Sequence, residues 1–493
     1  MGGRWVANKL LHKLKSSDSI SVLLPSYFSK KIVVYVYIVS SNIIEETKGI
    51  PQGGFAKLMN TYSNIDELKD AIREKNLDIP FSDNLEILKE NLELNGKVIP
   101  NKLAIHPMEG CDAKSNGAPS ELTERRYLRY ARGKAGLIWF EATAVSKEAR
   151  ANDKQLFLNQ ETVDEFSALV KKIKHESLKT GNQVPYLVLQ LAHSGRFGEN
   201  KIIAIHDEKL DKLSDVNYNS PLITDQELEE LENFYVEASK LAKKAGFDAI
   251  DIKSCHKYLL SEILGARTRK GIFGGKYENR TRFIKEVVDS INKEVGIDIA
   301  VRLNISDFLH YPISWGTNKK GEVDLSEPLK LIEELREKGV KLINVTAGSP
   351  YINPHINRPA DGEEKKYTPP EHPLIGVERL IKFSKNVQEK FRDIIVVGTG
   401  LSWFRHFVPF VAAGMVEKGY CKVVGLGRMA FAYPDFAKDI IENKKMEENK
   451  SCITCNRCAE LKAHQEITGC VIRDKDVYLK PYMKILRKNK SKR

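Results

Sequence analysis

Residues 224–254, TDQELEELENFYVEASKLAKKAGFDAIDIKS, show most directly how this chain of 493 residues is built. A Thr of the kind that caps helices opens an amphipathic pattern, which runs to Gly246, a residue type that commonly ends helices. The apolar run DAIDIKS follows at once, and a run of about four to eight such residues is typical of a buried strand. The stretch therefore predicts a helix followed by a strand, the repeating unit of α/β proteins.

The same alternation continues along the chain from residue 101 onward. Eight apolar runs can be counted: NKLAIHPM, GLIWFEATAV, VPYLVLQLAH, DAIDIKS, DIAVRLNIS, KLINVTAG, DIIVVGTG and KVVGLGR. Helical patterns lie between them, and four further glycines are predicted to end helices: Gly136, Gly181, Gly296 and Gly414. A doubly wound sheet would alternate in the same way, but the count of eight and the lack of G-x-G-x-x-G after the first run favour a (β/α)8 TIM barrel. We predict an α/β fold with this barrel at residues 101–445.

Three further segments flank the predicted barrel. Residues 51–100 are predicted to be a helical cap that precedes it, and residues 446–493 form a cysteine-cluster segment with a basic tail. Residues 1–50 form an N-terminal extension to which the sequence gives no role, and a misplaced start codon would also explain them. The extension's apolar stretch is interrupted by a Pro and a Lys-Lys pair and falls short of the ~20 residues that a spanning helix needs. We therefore expect no membrane anchor.

Composition limits the classes of partner and the cellular compartment. The net charge is +12, but Lys and Arg alternate with Glu and Asp along the helical patterns, so we expect no nucleic-acid partner. Three of the seven cysteines are scattered and four are clustered, whereas a disulfide framework is typical of short secreted chains. The pattern predicts a cytoplasmic protein with reduced thiols, and it leaves open whether the chain forms a homo-oligomer.

Polar residues concentrate where the predicted strands end, which is where TIM barrels carry their chemistry. Gly400, Gly427 and Arg428 follow the last two strands, where backbone N–H groups and a guanidinium can hold a phosphate. The third and fourth strands end in residues that would form a cationic pocket able to stabilise a carbonyl oxygen as it gains negative charge: His193, Arg196, Lys253, His256 and Tyr258. Each of these residues taken alone would more often be structural.

Five motifs together resemble the old yellow enzyme family of FMN-dependent oxidoreductases. They occur in the order that the family shows: NKLAIHPMEGCD, QLAHSGR, HKYLLSEIL, GGKYENRTRF and VVGLGRMAFAYPDF. The resemblance implies a noncovalently bound FMN at the barrel mouth. It assigns flavin contacts to Pro107, Met108, Glu109, Ala142, Gln190 and Arg302, and the phosphate site to Gly400, Gly427 and Arg428.

The resemblance also implies a reaction. NAD(P)H would reduce the flavin, and hydride would pass on to the β-carbon of an unsaturated carbonyl substrate. Tyr258 would protonate the α-carbon, while Lys253 and His256 would polarise the carbonyl group. Two residues depart from the family pattern: Lys253 stands where a His is usual, and Lys257 stands where a Gly precedes the tyrosine.

Residues 452–470, CITCNRCAELKAHQEITGC, carry four cysteines just after the predicted barrel: Cys452, Cys455, Cys458 and Cys470. Zinc is one candidate ligand, because structural zinc sites also use C-x-x-C steps. Three crowded thiols and one distant thiol are more typical of an iron–sulfur centre. The subgroup of the family that includes 2,4-dienoyl-CoA reductase and trimethylamine dehydrogenase carries a 4Fe-4S cluster at this place, which implies such a cluster here and a separate electron-transfer protein as a partner.

Two other functions stay open on the sequence alone. Oxidative demethylation of an amine would use the same flavin, although Tyr258 and His256 suit carbonyl activation better than binding of a cationic amine. A barrel without flavin, acting as a zinc-stabilised binding protein, is the alternative outside enzymology.

Overall fold

Eight parallel strands close into a barrel whose residues are almost all buried. The computed structural model describes residues 62–361 and 367–491, and the N-terminal extension predicted for residues 1–50 lies outside them. The barrel strands are β3 (Leu103–Ile105), β4 (Leu137–Ala144), β5 (Tyr186–Ala192), β6 (Ala249–Ile252), β7 (Asp298–Asn304), β8 (Leu342–Thr346), β9 (Ile395–Gly398) and β10 (Val423–Leu426). Consecutive strands pair in parallel, and β10 pairs with β3 to complete the ring. The predicted TIM barrel is confirmed.

Helices surround the barrel and connect its strands. Within the described residues they are α1 (Ile65–Glu74), α2 (Glu121–Arg132), α3 (Val163–Lys179), α4 (Glu208–Ser214), α5 (Asp225–Ala245), α6 (Leu259–Leu264), α7 (Tyr277–Arg280), α8 (Arg282–Glu294), α9 (Ser326–Glu337), α10 (Pro354–Asn357), α11 (Pro373–Lys390), α12 (Val408–Glu417), α13 (Arg428–Ala432), α14 (Phe436–Asn443), α15 (Arg457–Ala463) and α16 (Lys475–Ser491). Short 3-10 helices lie at Leu85–Lys89, Gly195–Phe197, Leu401–Phe407 and Glu448–Lys450. Within these described ranges, no helix combines the length and the apolarity needed to cross a membrane.

The helix and strand predicted for residues 224–254 are α5 and β6. Thr224 and Glu227 form a capping box, in which the Thr224 hydroxyl accepts from the Glu227 N–H at 3.1 Å and the Glu227 carboxylate accepts from the Thr224 N–H at 2.7 Å. Gly246 ends the helix with a φ of 94°, a left-handed conformation that costs glycine little. Two of the glycine predictions were wrong. Gly414 lies inside α12, where a side chain would meet the Phe81 backbone N at 2.6 Å. Gly136 lies beyond the end of α2, which stops at Arg132 with Gly133 as its cap.

One end of the barrel is covered by an antiparallel hairpin, β1 (Leu92–Leu94) and β2 (Lys97–Ile99). Its buried Leu94 and Ile99 pack with Leu137 and Trp139, which lie at the amino end of β4. The amino ends of the strands are therefore covered, and the carboxyl ends are left to carry the functional site.

The C-terminal segment packs on α2 and on the loop that follows β3. Asp474 accepts hydrogen bonds from Arg125 at 2.8 Å and from Arg129, while the Thr468 N–H donates to the Gly110 carbonyl at 2.7 Å. A small apolar cluster holds α15 against α16: Leu461, Val471, Tyr478, Tyr482 and Ile485. The cysteine-bearing segment is thereby fixed against the mouth of the barrel.

Two neighbouring helices, α5 and α8, place the carboxyl groups of Glu232 and Glu286 together. Burial, and next the charge of Glu286, raise the pKa of Glu232 to about 8. In the unfolded chain the same carboxyl ionises near pH ~4.3. Ionisation therefore favours the unfolded state between these two pH values, and the stability of the fold declines as the pH rises through that window.

We expect Glu232→Gln to stabilise the protein at about pH 8 and to have little effect at about pH 4, since the amide cannot ionise. The gain should be about 1 kcal/mol, because Glu232 is only half buried and solvent screens the pair. Urea unfolding at both pH values measures it, with Glu230→Gln on the exposed side of α5 as the control. Equal effects of the two variants at both pH values would contradict this explanation.

Candidate active site

A cavity of about 210 Å³ opens at the carboxyl ends of the barrel strands. It is lined by eleven of the residues that the sequence singled out as flavin, phosphate or catalytic groups: Pro107, Met108, Glu109, Gln190, Lys253, His256, Tyr258, Arg302, Gly400, Gly427 and Arg428. Cys458, one of the four clustered cysteines, also lines it. Residues that follow the first barrel strand and residues of the cysteine-bearing segment thus line the same cavity.

Three residues predicted to contact the flavin or the substrate do not line this cavity. Arg196 is fully buried in ion pairs, since its Nε donates to Glu262 Oε2 at 2.6 Å and its NH1 donates to Asp211 Oδ1 at 3.0 Å. His193 is buried and accepts from the Gly195 N–H, and burial lowers its pKa to about 4. Ala142 is buried in β4 with its carbonyl bonded to a glutamine side chain. Arg196 and His193 are therefore held away from the space where a substrate would bind.

Residues that the sequence did not single out also line the cavity. Tyr351 and Arg358 come from the loop after β8, and Lys462 comes from α15. A signal existed only for Lys462, which follows Cys458 by four residues and so lies on the same face of a helix. The loop after β8 carries no motif that marks Tyr351 or Arg358.

Glycines and arginines form the part of the cavity next to β9 and β10. Gly400 has a φ of 92°, and a side chain there would meet Leu380 Cδ1 at 2.4 Å. A side chain at Gly427 would meet Met108 Sδ at 2.9 Å. The Arg428 guanidinium donates to Asn456 Oδ1 at 2.8 Å and to the Pro359 carbonyl at 2.9 Å, and within the described residues it pairs with no carboxylate. The backbone at Gly400 and Gly427, which no side chain covers, and the guanidinium of Arg428 are suited to binding a phosphate group.

The middle of the cavity holds Arg302 and Gln190 in fixed positions. Gln190 Nε2 donates to Asp251 Oδ2 at 2.7 Å, and the Arg302 N–H donates to Asp251 Oδ1 at 2.6 Å. The Arg302 side chain is buried, and its Nε has no hydrogen-bond partner within the described part of the chain. A buried guanidinium with an unused donor is suited to an electron-rich ring edge such as that of a flavin.

Glu109, Lys253 and Tyr258 meet at the far side of the cavity. The Tyr258 hydroxyl donates to Glu109 Oε1 at 3.3 Å and lies 2.8 Å from the Tyr351 hydroxyl. Lys253 Nζ lies 3.6 Å from Glu109 Oε1 and 3.7 Å from the centre of the Tyr258 ring. Burial, and next Glu109, raise the pKa of Tyr258 well above its ordinary value, so the phenol keeps its proton at neutral pH. Burial lowers the pKa of Lys253 to about 8.

The imidazole of His256 lies at the same side of the cavity and is a neutral hydrogen-bond donor. Burial, and next the charge of Arg302, lower its pKa well below the ordinary value. Its Nε2 lies 2.8 Å from Asn357 Nδ2, which can only donate, so the neutral ring carries its hydrogen on Nδ1. The ring can therefore offer one N–H to a ligand without bringing a positive charge.

Lys257, which replaces the family's glycine, points away from the cavity. Its Nζ bonds to Asp307 Oδ2 at 2.9 Å and to the Ile313 carbonyl at 2.6 Å, and the side chain is 1% exposed. His256 and Lys257 have φ values of 65° and 63°, a conformation that glycine adopts without strain. The buried ion pair thus holds a turn that the family makes with a glycine.

The four clustered cysteines line a second, small cavity beside the first. The Thr454 N–H lies 3.4 Å from Cys452 Sγ, and the Arg473 N–H lies 3.3 Å from Cys470 Sγ. Three arginines also line it: Arg428, Arg457 and Arg473. In the ranges that the structure describes, no three Cys, His, Asp or Glu side chains are arranged to hold one metal ion.

Known proteins resemble this chain in sequence over about half of its length. The NADPH dehydrogenase of Bacillus pumilus is 33% identical over 264 residues, which are 52% of this chain and 72% of that protein. The NADPH dehydrogenase of Bacillus subtilis is 28% identical over 266 residues, which are 52% of this chain and 72% of that protein. These relatives share the barrel with this chain over most of their own length.

Solved structures share the fold at lower identity. The old yellow enzyme homologue of Zymomonas mobilis has a TM-score of 0.53 and 18% identity, with 78% of this chain and 99% of that chain covered. Histamine dehydrogenase from Rhizobium sp. 4-9 has a TM-score of 0.60 and 20% identity, with 79% of this chain and 53% of that chain covered. A 2-naphthoyl-CoA reductase complex has a TM-score of 0.61 and 18% identity, with 79% of this chain and 57% of that chain covered.

The family itself follows from a longer match. Residues 90–447, which include the whole barrel and all eleven predicted residues that line its cavity, match the model of one enzyme family. This chain belongs to the NADH:flavin oxidoreductase / NADH oxidase family.

Proposed function

We propose that this FMN-dependent NAD(P)H oxidoreductase reduces a C=C bond conjugated to a carbonyl group. The observation that carries the proposal is the hydrogen-bonded Tyr258 beside Lys253 and His256: a phenol that keeps its proton, next to two donors suited to a carbonyl oxygen. FMN, when bound, would accept hydride from NAD(P)H and donate it to the substrate. Arg302 and Gln190 would contact its ring, and Gly400, Gly427 and Arg428 would hold its phosphate.

The residues of this chain would then act on the substrate in two ways. Lys253 and the Nδ1–H of His256 would hold the carbonyl oxygen and stabilise the negative charge that develops there. Tyr258 would give its proton to the α-carbon, and Glu109 and Tyr351 would hold the phenol in place through the hydrogen bonds described above. Tyr258 is 1% exposed, so its phenol is shielded from bulk solvent.

The charges of the cavity argue against the alternative of amine oxidation. Five basic side chains line it, Lys253, Arg302, Arg358, Arg428 and Lys462, whereas Glu109 is the single carboxylate among the described residues that line it. A substrate ammonium would be repelled by Lys253 and Lys462 at the side where it must react. Two anaerobic assays test the choice: cyclohexenone with NADPH as the electron donor, and a tertiary amine with a ferrocenium salt as the electron acceptor. Reduction of the enone supports the proposal, and oxidation of the amine without enone reduction overturns it.

We also propose that the four cysteines bind a 4Fe-4S cluster. Support comes from their common cavity, from the N–H groups that approach two of the sulfurs, and from the three arginines, which favour thiolates. A zinc site needs four sulfurs about 2.3 Å from one point, whereas a cubane gives each thiolate its own iron. The cluster would exchange electrons with the flavin, and a separate electron-transfer protein would be its partner.

Anaerobically purified protein is expected to contain about four irons and four sulfides per chain, and the Cys458→Ser variant fewer. Elemental analysis and the visible spectrum measure this content. The Cys421→Ser variant is the control, since Cys421 is buried beside β9 and distant in sequence from the cluster. One zinc per chain without iron would overturn the assignment.

A further inference from the structure

Lys462 reaches the substrate side of the cavity from outside the barrel. It lies on α15, four residues after Cys458, and both residues line the cavity. Its Nζ lies 2.8 Å from Glu109 Oε2, and its side chain is 27% exposed. An ammonium has three donors, and within the described residues the Lys462 Nζ has no second hydrogen-bond partner, although it lies 5.6 Å from the centre of the Tyr351 ring. Two of its donors therefore stay available to a ligand.

The pairing of Glu109 leaves this side of the cavity positively charged. Glu109 lies against both Lys462 at 2.8 Å and Lys253 at 3.6 Å, so one carboxylate faces two ammonium groups. The neighbouring groups that are neutral, Tyr258 and His256, carry hydrogens that they can donate. The substrate side is therefore rich in donors and holds one positive charge more than its single carboxylate balances.

Bound FMN would not remove this excess. A phosphate monoester carries about two negative charges at neutral pH, which the two arginines Arg358 and Arg428 near the glycine loops would balance. Arg302 would face the flavin ring. No part of the flavin is left to neutralise the lysines on the opposite side, so a further anion is needed there.

From these charges, and resting on the proposed function, we infer that the natural substrate carries a carboxylate besides its conjugated carbonyl group, and that Lys462 binds that carboxylate. Lys253 and His256 hold the carbonyl oxygen, while Lys462 anchors the acid at the cavity wall formed by α15. Lys462 is thus a specificity residue that the cysteine-bearing segment supplies to the barrel. A structural lysine that only holds Glu109 would not discriminate between charged and neutral substrates.

The test compares two probes with the same ketone-activated C=C bond, 6-oxohept-4-enoate and its methyl ester, in which two methylene groups separate the acid from the alkene, on the holoenzyme with NADPH. We expect kcat/KM for the acid to exceed that for the ester by about tenfold or more, since a hydrogen-bonded ion pair is gained only with the acid. Lys462→Met should lower the ratio of kcat/KM for the acid to kcat/KM for the ester by about tenfold. Lys462→Arg should retain the preference, because it keeps the charge.

Two further variants separate this role from a structural one. Lys480→Met removes the same charge from an exposed position of α16 and should change neither probe. Glu109→Gln should increase the preference for the acid, because it frees Lys462 from its partner. The inference is overturned if the ester is reduced as well as the acid, or if Lys462→Met slows both probes equally. If neither probe is reduced by enzyme whose flavin NADPH has reduced, the proposed function itself fails.

Discussion

Replacing Tyr258 by Phe is expected to slow reduction of the conjugated alkene by about 10²- to 10⁴-fold, the usual contribution of a positioned general acid. The substitution removes one hydroxyl whose two hydrogen-bond partners, Glu109 and Tyr351, remain in place. The ring packs edge-on against Phe197, so the variant keeps its packing. Stopped-flow absorbance of the flavin measures the rate of its reoxidation by cyclohexenone.

The reductive half of the same cycle is the internal control for this variant. Hydride transfer from NADPH needs no proton from Tyr258, so flavin reduction should proceed at the wild-type rate. A Tyr258→Phe enzyme whose flavin is reoxidised by the alkene as fast as in the wild type would show that another group supplies the proton. An enzyme that also fails to accept hydride would point to a disturbed cavity.

Arg126→Met is expected to lower the free energy of unfolding by about 3–5 kcal/mol, the cost of breaking a buried ion pair. Arg126 on α2 binds Asp112 with both terminal nitrogens and donates from NH2 to Glu141 Oε1 at 2.6 Å, and all three side chains are nearly inaccessible. Methionine would leave two carboxylates buried without their cation. Denaturant unfolding measures the loss.

The second consequence of Arg126→Met concerns the active site. Glu141 Oε2 also accepts the Gly110 N–H at 2.7 Å, so this group of charges holds the loop that carries Glu109.

The control for the loss of stability is Arg132→Met, which removes an exposed ion pair with Glu176 from the same helix and should cost at most about 1 kcal/mol. Equal losses in the two variants would contradict the importance of the buried group.

The barrel was predictable because its evidence is local in sequence. Each strand is a short apolar run, and helix caps such as Thr224 and Gly246 need only neighbours within a few residues. Residues at strand ends follow from the fold, which is why Glu109, Lys253 and Tyr258 were found to line one cavity. One exception, Gly414, depends on a contact with Phe81, which is far away in the sequence.

What sequence analysis missed depends on partners from distant segments. Arg196 has the residue type and the position of a substrate-binding group, but Glu262, a residue of the later helix α6, neutralises it inside the protein. Lys257 departs from the family pattern, and only the structure shows that its ammonium pairs with Asp307 and points away from the cavity. Lys462 enters the cavity because α15 docks on the barrel; its spacing from Cys458 is a local signal, but the docking itself depends on contacts between distant segments.

The most direct test of the account follows the two hydrogens added to the alkene. Enzyme with bound FMN is given cyclohexenone and NADPH deuterated at the transferable position, and a second reaction is run with unlabelled NADPH in D2O. We expect the cofactor's deuterium at the β-carbon in the first product and solvent deuterium at the α-carbon in the second, with the latter step slowed in Tyr258→Phe. A protein that binds no flavin, or that leaves the alkene unreduced while its flavin cycles with an amine, would contradict the account.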